Sequence, residues 1–289
     1  MDHSMAALGQ LLEKTSRTFA LAIPLLPEPT QTDVGLAYLV LRIADTLEDA
    51  DNLTTEEQIA SLHEFASLLE NPDVSRAFKF AQEWAVRQPS ANPAYQELLE
   101  RTPQVISHLL LRDQWVQSLI LRETRRTVIG MCRFLAAGDR ELRSLADLRL
   151  YCYYAAGIVG ELLTEIFVRR IPLRSSRAEL FSDARAFGEG LQLVNIVKDA
   201  DDDDRCGRRF LPVDLDHDVV FDLARSDLRR AQQYVYELRR SHAPKGYLAF
   251  TELPLRLAWA TLDRVAKHGP GSKVPRSDVE RLLAELAIP

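Results

Sequence analysis

The chain is 289 residues long, 46% hydrophobic and 27% charged, with a net charge of −6 and a pI near 5.6. That length allows one large domain or two small ones. The acidic balance argues against general nucleic-acid binding, which needs a basic face. No run of about 18 apolar residues is present, so no membrane span is expected.

Apolar residues recur at spacings of three and four, with no strand alternation, so every long segment reads as helix. The predicted helices are Met5–Lys14, Gln31–Asp51, Thr55–Glu70, Val74–Val86, Pro93–Arg112 and Gln114–Ala136. They continue with Leu145–Val168, Arg177–Asp201, Val219–Ser241, Leu253–His268 and Ser277–Leu286. Breaks fall at Pro24 to Pro29, Asn71-Pro72, Pro89 to Pro93, Gly138-Asp139 and Gly269-Pro270-Gly271. Thr54 followed by Glu57 reads as a capping box. No break is long enough to be a linker, so the expectation is a single all-α domain over residues 1–289. The start lacks a basic stretch followed by an apolar run, so no secretory leader is expected. Cys132, Cys152 and Cys206 form neither a C-x-x-C pair nor a zinc spacing, which fits thiols in a reducing cytoplasm.

Two stretches carry chemistry. Leu41 to Asp49, LRIADTLED, places Asp45, Glu48 and Asp49 on one helical face. About 150 residues later, Asp199, Asp202 and Asp203 repeat that spacing within LQLVNIVKDADDDDRCGRRFLP. Like charges at these spacings repel by roughly 0.2–0.5 kcal/mol per pair on a helix. Each cluster alone reads as a solvated helix end or a cation site. The pair, each following an apolar helical run, favours hard cations shared with phosphate oxygens, the usual setting of Mg²⁺.

Further residues flank these motifs. Arg17, in Ser16-Arg17-Thr18-Phe19, is a surface arginine or a bidentate phosphate partner. Arg42 shares a face with Asp45 and either holds that carboxylate or reaches a phosphate. Gln192 and Asn195 lie on the run into the second motif, and Lys198 stands beside Asp199. Arg208 follows the helix breaker Gly207. Tyr151-Cys152-Tyr153-Tyr154-Ala155-Ala156-Gly157-Ile158-Val159-Gly160 combines aromatic rings with small residues that admit close helix packing or a ligand. Glu161 and Glu165 are expected on an outer face. No Gly-rich phosphate loop and no dinucleotide fingerprint is present.

These motifs, SRTF, LRIADTLED, YCYYAAGIVG and NIVKDADDDDRCGRRFLP, resemble those of the squalene and phytoene synthase family, the head-to-head prenyl transferases. They follow the family's order and spacing from Ser16 to about Leu262. The resemblance implies an all-α isoprenoid-synthase bundle around a central cavity. It implies Mg²⁺ and diphosphate binding by Asp45, Glu48, Asp49, Asp199, Asp202 and Asp203. It implies diphosphate contacts from Arg17, Arg42 and Arg208, and a place for Gln192, Asn195 and Lys198 near the second diphosphate. Tyr151 matches a tyrosine implicated in catalysis. Two departures stand out. Asp202 replaces a common glutamate, with one methylene less reach. Lys198 replaces a common arginine, keeping the charge but losing the guanidinium fork.

The expected reaction is condensation of two farnesyl diphosphates through a cyclopropyl (presqualene-type) diphosphate to squalene, with NADPH as reductant. Dehydrosqualene synthase, phytoene synthase acting on two geranylgeranyl diphosphates, a one-substrate terpene cyclase and a non-catalytic scaffold relative are the alternatives. The chain resembles the shorter bacterial members, without a C-terminal membrane helix. A cytoplasmic monomer or weak dimer is expected, touching a bilayer peripherally at the mouth of its substrate channel.

Overall fold

The computed structural model describes residues 3–137, 142–205, 207, 209–212 and 215–286, with side chains from Leu8 onward. It is all-α: the described residues form no strand beyond an isolated bridge at Arg209. The chain divides into two compact units, Met1–Ile23 with Glu28–Gly138, and Pro24–Pro27 with Asp139–Pro289.

The first unit holds α1 (His3–Thr15), α2 (Phe19–Ala22), α3 (Thr30–Glu48), α4 (Thr55–Glu70), α5 (Val74–Arg87), α6 (Pro93–Glu100), α7 (Thr102–Leu110) and α8 (Gln114–Ala136). Its axis is α3, whose Leu36, Leu39, Val40, Ile43 and Leu47 are all buried. Helices α1, α4, α6, α7 and α8 pack around it. Phe65, Phe80 and Trp84 fill the space between α4 and α5, with ring centroids 5.5 and 6.2 Å apart. Two carboxylates are buried among the described residues of this unit: Asp33, paired with Arg112 at 2.8 Å, and Glu123 on α8, paired with Arg122 and Arg126.

The caps follow the sequence. Thr54 and Glu57 form the expected capping box. Asp73 and Asn92 cap the starts of α5 and α6. The helix expected over 93–112 is instead broken at Arg101 into α6 and α7. Pro103 is the reason: a proline is accepted in a first turn, where its missing N–H costs nothing, but not in a helix interior.

The second unit holds α9 (Leu145–Cys152), a single π turn over Tyr153–Gly157, α10 (Ile158–Arg170), α11 (Arg177–Arg205), α12 (His217–Arg240), α13 (Lys245–His268) and α14 (Arg276–Leu286). Its axis is the 29-residue α11, against which the π turn, α10, α12 and α13 pack. Helix α13 starts at Lys245, eight residues before the expected Leu253, and runs through Pro254. An interior proline costs about 3 kcal/mol. Burial of Tyr247, Phe250 and Leu253 on that extra stretch contributes about 1.5–3 kcal/mol per large side chain and outweighs it. The Thr251 hydroxyl, just before the proline, bonds the Tyr247 and Leu248 carbonyls at 2.9 and 3.0 Å.

Candidate functional site

The first acidic motif is the last turn of α3. Asp45 and Glu48 are half-buried and Asp49, the C-cap residue, is exposed. Buried Gln58 fastens this end, donating from its amide to the Glu48 and Ala50 carbonyls at 2.7 and 3.1 Å. A helix C-terminus already carries partial negative charge, and α3 has no basic residue in its last turn. Three carboxylates placed there raise the negative potential further, which suits a cation.

Arg42 answers part of that charge. Its guanidinium lies 3.3 Å from the Asp45 carboxylate. Its Nε donates to the Tyr38 hydroxyl at 3.1 Å, and that hydroxyl donates to the Thr15 carbonyl at 2.7 Å. The Tyr38 and Tyr95 rings flank the guanidinium at 5.4 and 5.9 Å. Arg42 thus pairs with this carboxylate from between two aromatic rings. The Asp45 carboxyl is pushed up to about 6, by burial first, against the pull of Arg42 and with the push of Asp49. Burial lifts the Cys132 thiol on α8 to about 11, with the Glu48 charge adding to it, so α8 backs this acidic end. Arg17 is exposed just before α2, beside Ser16, whose hydroxyl accepts from the Phe19 amide at 3.0 Å.

The second motif is the last turn of α11. That helix was expected to stop at Asp201 but carries the whole acidic run to Arg205. Arg205 is the physical reason: it donates to the Asp201 carbonyl at 3.1 Å and pairs with the Asp202 carboxylate, neutralising charge at a helix end. Gly207, at φ +69, then turns the chain. Lys198 pairs with Asp199 at 3.0 Å and reaches the Asn195 amide oxygen at 3.5 Å. Asn195 is exposed, Gln192 and Asp203 half-buried, and Asp202 exposed. Arg208, like Cys206, lies outside the described residues.

Tyr151 closes α9, and its ring stacks on Phe210, centroids 4.8 Å apart and planes at 28°. Phe210 lies eight residues after Asp202, so this stack brings the tyrosine motif to the segment that follows the second acidic motif. Behind Tyr151, the π turn presses on α11. A Cβ added to Gly160 or Gly188 would run into the carbonyl oxygens of Ala184 and Ala156. Packing is thus the role of the small residues in YCYYAAGIVG. Glu161 and Glu165 are not an outer face: Glu161 pairs with Arg185 at 2.6 Å, and buried Glu165 pairs with Arg169 at 2.8 Å and with Arg177.

Among the described residues no three His, Cys, Asp or Glu side chains are already gathered as a metal-ligand set. The donors nonetheless fit Mg²⁺. They are hard oxygens one turn apart at negative helix ends, and Mg²⁺ needs only one or two carboxylates with waters and phosphates. Sequence reasoning missed Tyr38, Tyr95, Phe210 and a buried cluster of Arg149, Glu189 and Asp227. Only Tyr38 carried a readable signal, four residues before Arg42 on the same face.

The squalene/phytoene synthase family model matches residues 12–220. The chain is 31% identical to Botryococcus squalene synthase of Botryococcus braunii over 198 residues, 68% of this chain and 40% of that protein. It is also 31% identical to the squalene synthase of Homo sapiens over 218 residues, 74% of this chain and 48% of that one. It thus spans about half the length of these relatives or less. A solved ligand complex of TcSQS superposes with a TM-score of 0.79 at 25% identity, covering 99% of this chain and 86% of that one. A dehydrosqualene synthase shares the fold, with a TM-score of 0.62 at 20% identity over 98% of this chain and 95% of that one. The matched span contains both acidic motifs and the tyrosine stretch, and the chain belongs to the squalene/phytoene synthase family.

Proposed function

We propose that residues 1–289 act as one prenyl synthase domain. It joins two farnesyl diphosphates head to head, through a cyclopropyl diphosphate, to squalene. One observation carries this reading: each D-x-x-[ED]-D motif ends a long helix, and each opens on an aspartate held by a basic side chain, Arg42 on Asp45 and Lys198 on Asp199. Two such ends suit two diphosphates. The squalene synthase relatives support the donor class.

Asp45, Glu48 and Asp49, with Asp199, Asp202 and Asp203, would hold Mg²⁺. When bound, that ion supplies positive charge to the departing diphosphate oxygens. Arg17 and Arg42 beside the first motif, and Lys198 and Arg208 beside the second, add charge-assisted bonds to diphosphate oxygens, strongest as diphosphate leaves. Gln192 and Asn195 orient the second diphosphate. Breaking the first C–O bond releases diphosphate and an allylic cation. The double bond of the second donor attacks it, and proton loss closes the cyclopropane. The Tyr151 hydroxyl donates to the departing diphosphate or relays that proton to the released diphosphate. The second C–O bond then breaks, the ring rearranges, and a hydride completes squalene. NADPH is the proposed hydride source, though the sequence holds no dinucleotide fingerprint and no residue is assigned to it. The site is proposed to work in the cytoplasm, in a monomer or weak dimer. Bilayer contact would serve the apolar tails. No helix among the described residues is long and apolar enough to cross a membrane.

The test is incubation with labelled farnesyl diphosphate and Mg²⁺, with and without NADPH, followed by product mass. A reduced C30 product that needs NADPH is the expected result. An unreduced C30 product moves the assignment to dehydrosqualene synthase, and turnover of C20 donors alone to phytoene synthase. A cyclised C15 product indicates a one-substrate cyclase, and no turnover indicates the scaffold reading.

A further inference from the structure

Outside the acidic motifs, the second unit holds a buried charge cluster that no step above uses. Arg149 on α9 reaches Asp227 on α12 at 2.5 Å and Glu189 on α11 at 3.1 Å. Both carboxylates are 4% exposed at the side chain. One guanidinium thus bridges two carboxylates from two other helices, and its planar fork is the side chain suited to that. Burial holds both carboxyls above their usual range, with Arg149 pulling each back down. Arg230 adds positive charge from α12 and itself pairs with Asp183 at 2.9 Å. Arg185, one turn before Glu189 on α11, adds its positive charge and lies over the Tyr153 ring at 4.7 Å.

Arg149 stands two residues before Tyr151. At 3.6 residues per turn, side chains two apart leave a helix in roughly opposite directions. The charge cluster therefore draws one side of α9 onto α11 and α12, while Tyr151 leaves from the other side and meets Phe210. Glu189 also touches the π turn: a Cβ on Gly157 would sit 3.2 Å from its Oε1. The same carboxylate thus borders α9 just before Tyr151 and the π turn after it. A buried ion cluster is weak evidence for stability, and fixing registry is its best-attested use.

We propose that Arg149, through Glu189 and Asp227, is a positioning residue that sets the orientation of Tyr151 for catalysis. This rests on the reading of Tyr151 as catalytic. Replacement of Arg149 loosens α9 against α11 and α12, so the hydroxyl is misplaced without loss of any substrate contact. A displacement of about 1 Å at a reacting group can cost about 100-fold in rate.

The test is a double-mutant cycle. Arg149→Met is expected to lower kcat 10- to 100-fold with KM within about threefold, and Arg149→Lys to lose less. In a Tyr151→Phe background, Arg149→Met should cost under threefold more, because residues that act as a unit are non-additive. Equal losses in both backgrounds, or a lowered Tm with kcat intact, overturn the proposal. Should Arg149→Met fail to fold, Glu189→Gln and Asp227→Asn take its place in the same cycle. Nuclear Overhauser contacts between labelled Tyr151 and Phe210 give a second readout that needs no turnover. They should weaken in Arg149→Met, and their persistence at wild-type strength refutes the positioning role. Absence of turnover in the unmutated chain would sink the catalytic reading of Tyr151 instead, and leaves that spectrum to decide the geometry.

Discussion

Gly188 on α11 lies flat against the Ala156 carbonyl of the π turn. A Cβ at Gly188 would overlap that oxygen and sit 3.1 Å from the Gly157 amide nitrogen. Gly160 makes the reciprocal approach to Ala184. Both obstacles are backbone in helical segments, which cannot swing aside as a side-chain tip would. Gly188→Ala is therefore expected to destabilise by about 3 kcal/mol, at the high end for overpacking. Alanine's better helix propensity recovers only about 1 kcal/mol of that. A thermal melt should show Tm lowered by several degrees. An unchanged or raised Tm would mean that the two segments are not in this contact.

Asp45 is expected to matter for reaction and little for stability. Its carboxyl, pushed up to about 6 by burial and by Asp49, is held mainly by Arg42. Removing its charge also relieves repulsion within the acidic turn. Asp45→Asn should lower turnover of farnesyl diphosphate by about 100-fold or more, the scale of losing one element of charge stabilisation at a departing group. Its Tm should stay within a few degrees of the parent's. Full activity in Asp45→Asn would remove the first motif from the proposed chemistry.

Much of this was legible in the sequence, for definable reasons. The two acidic motifs and Tyr151 were visible because one-turn spacing and local motifs are properties of contiguous chain. The Thr54–Glu57 box was visible for the same reason. What stayed hidden depends on tertiary partners. Helix α13 through Pro254 is sustained by burial that no propensity reports. Phe210 is placed by its stack on Tyr151, 59 positions away. Glu161 and Glu165 looked exposed because the arginines that pair with them, Arg185 and Arg177, lie on another helix. The Arg149 cluster gathers α9, α11 and α12, and nothing in its spacing announces it.

That cluster also predicts a pH-dependent defect. Arg149→Met leaves Glu189 and Asp227 together without their shared cation. Breaking a fully buried pair costs about 3–5 kcal/mol. Arg149 keeps 36% of its side chain in solvent, so about 2 kcal/mol is expected near pH 8. Both carboxyls are already raised in the folded chain, and loss of Arg149 raises them further. A carboxyl with a raised folded pKa contributes stability that is present below its unfolded value, near 4, and lost as pH rises through the folded value. The defect should therefore shrink between pH 8 and pH 5 in denaturant melts. A deficit of the same size at both pH values would show that the two carboxylates do not share this guanidinium.

The last prediction concerns Arg205, which neutralises Asp202 while also bonding the Asp201 carbonyl. The pair is 75% and 65% exposed at its two side chains. Exposed pairs contribute about 0.2–1 kcal/mol. If Asp202 takes part in holding Mg²⁺, the ion must displace Arg205 and overcome that attraction. Arg205→Gln should then lower the Mg²⁺ concentration for half-maximal turnover, by up to about fivefold, the equivalent of 1 kcal/mol. The fraying of α11 that follows loss of its C-terminal cation works the other way, by about 0.3–1 kcal/mol. Circular dichroism of the metal-free variant measures that fraying separately. A half-maximal concentration that does not fall while α11 stays helical would place Asp202 outside the metal site and leave Asp199 and Asp203 as the carboxylates of the second motif that hold the ion.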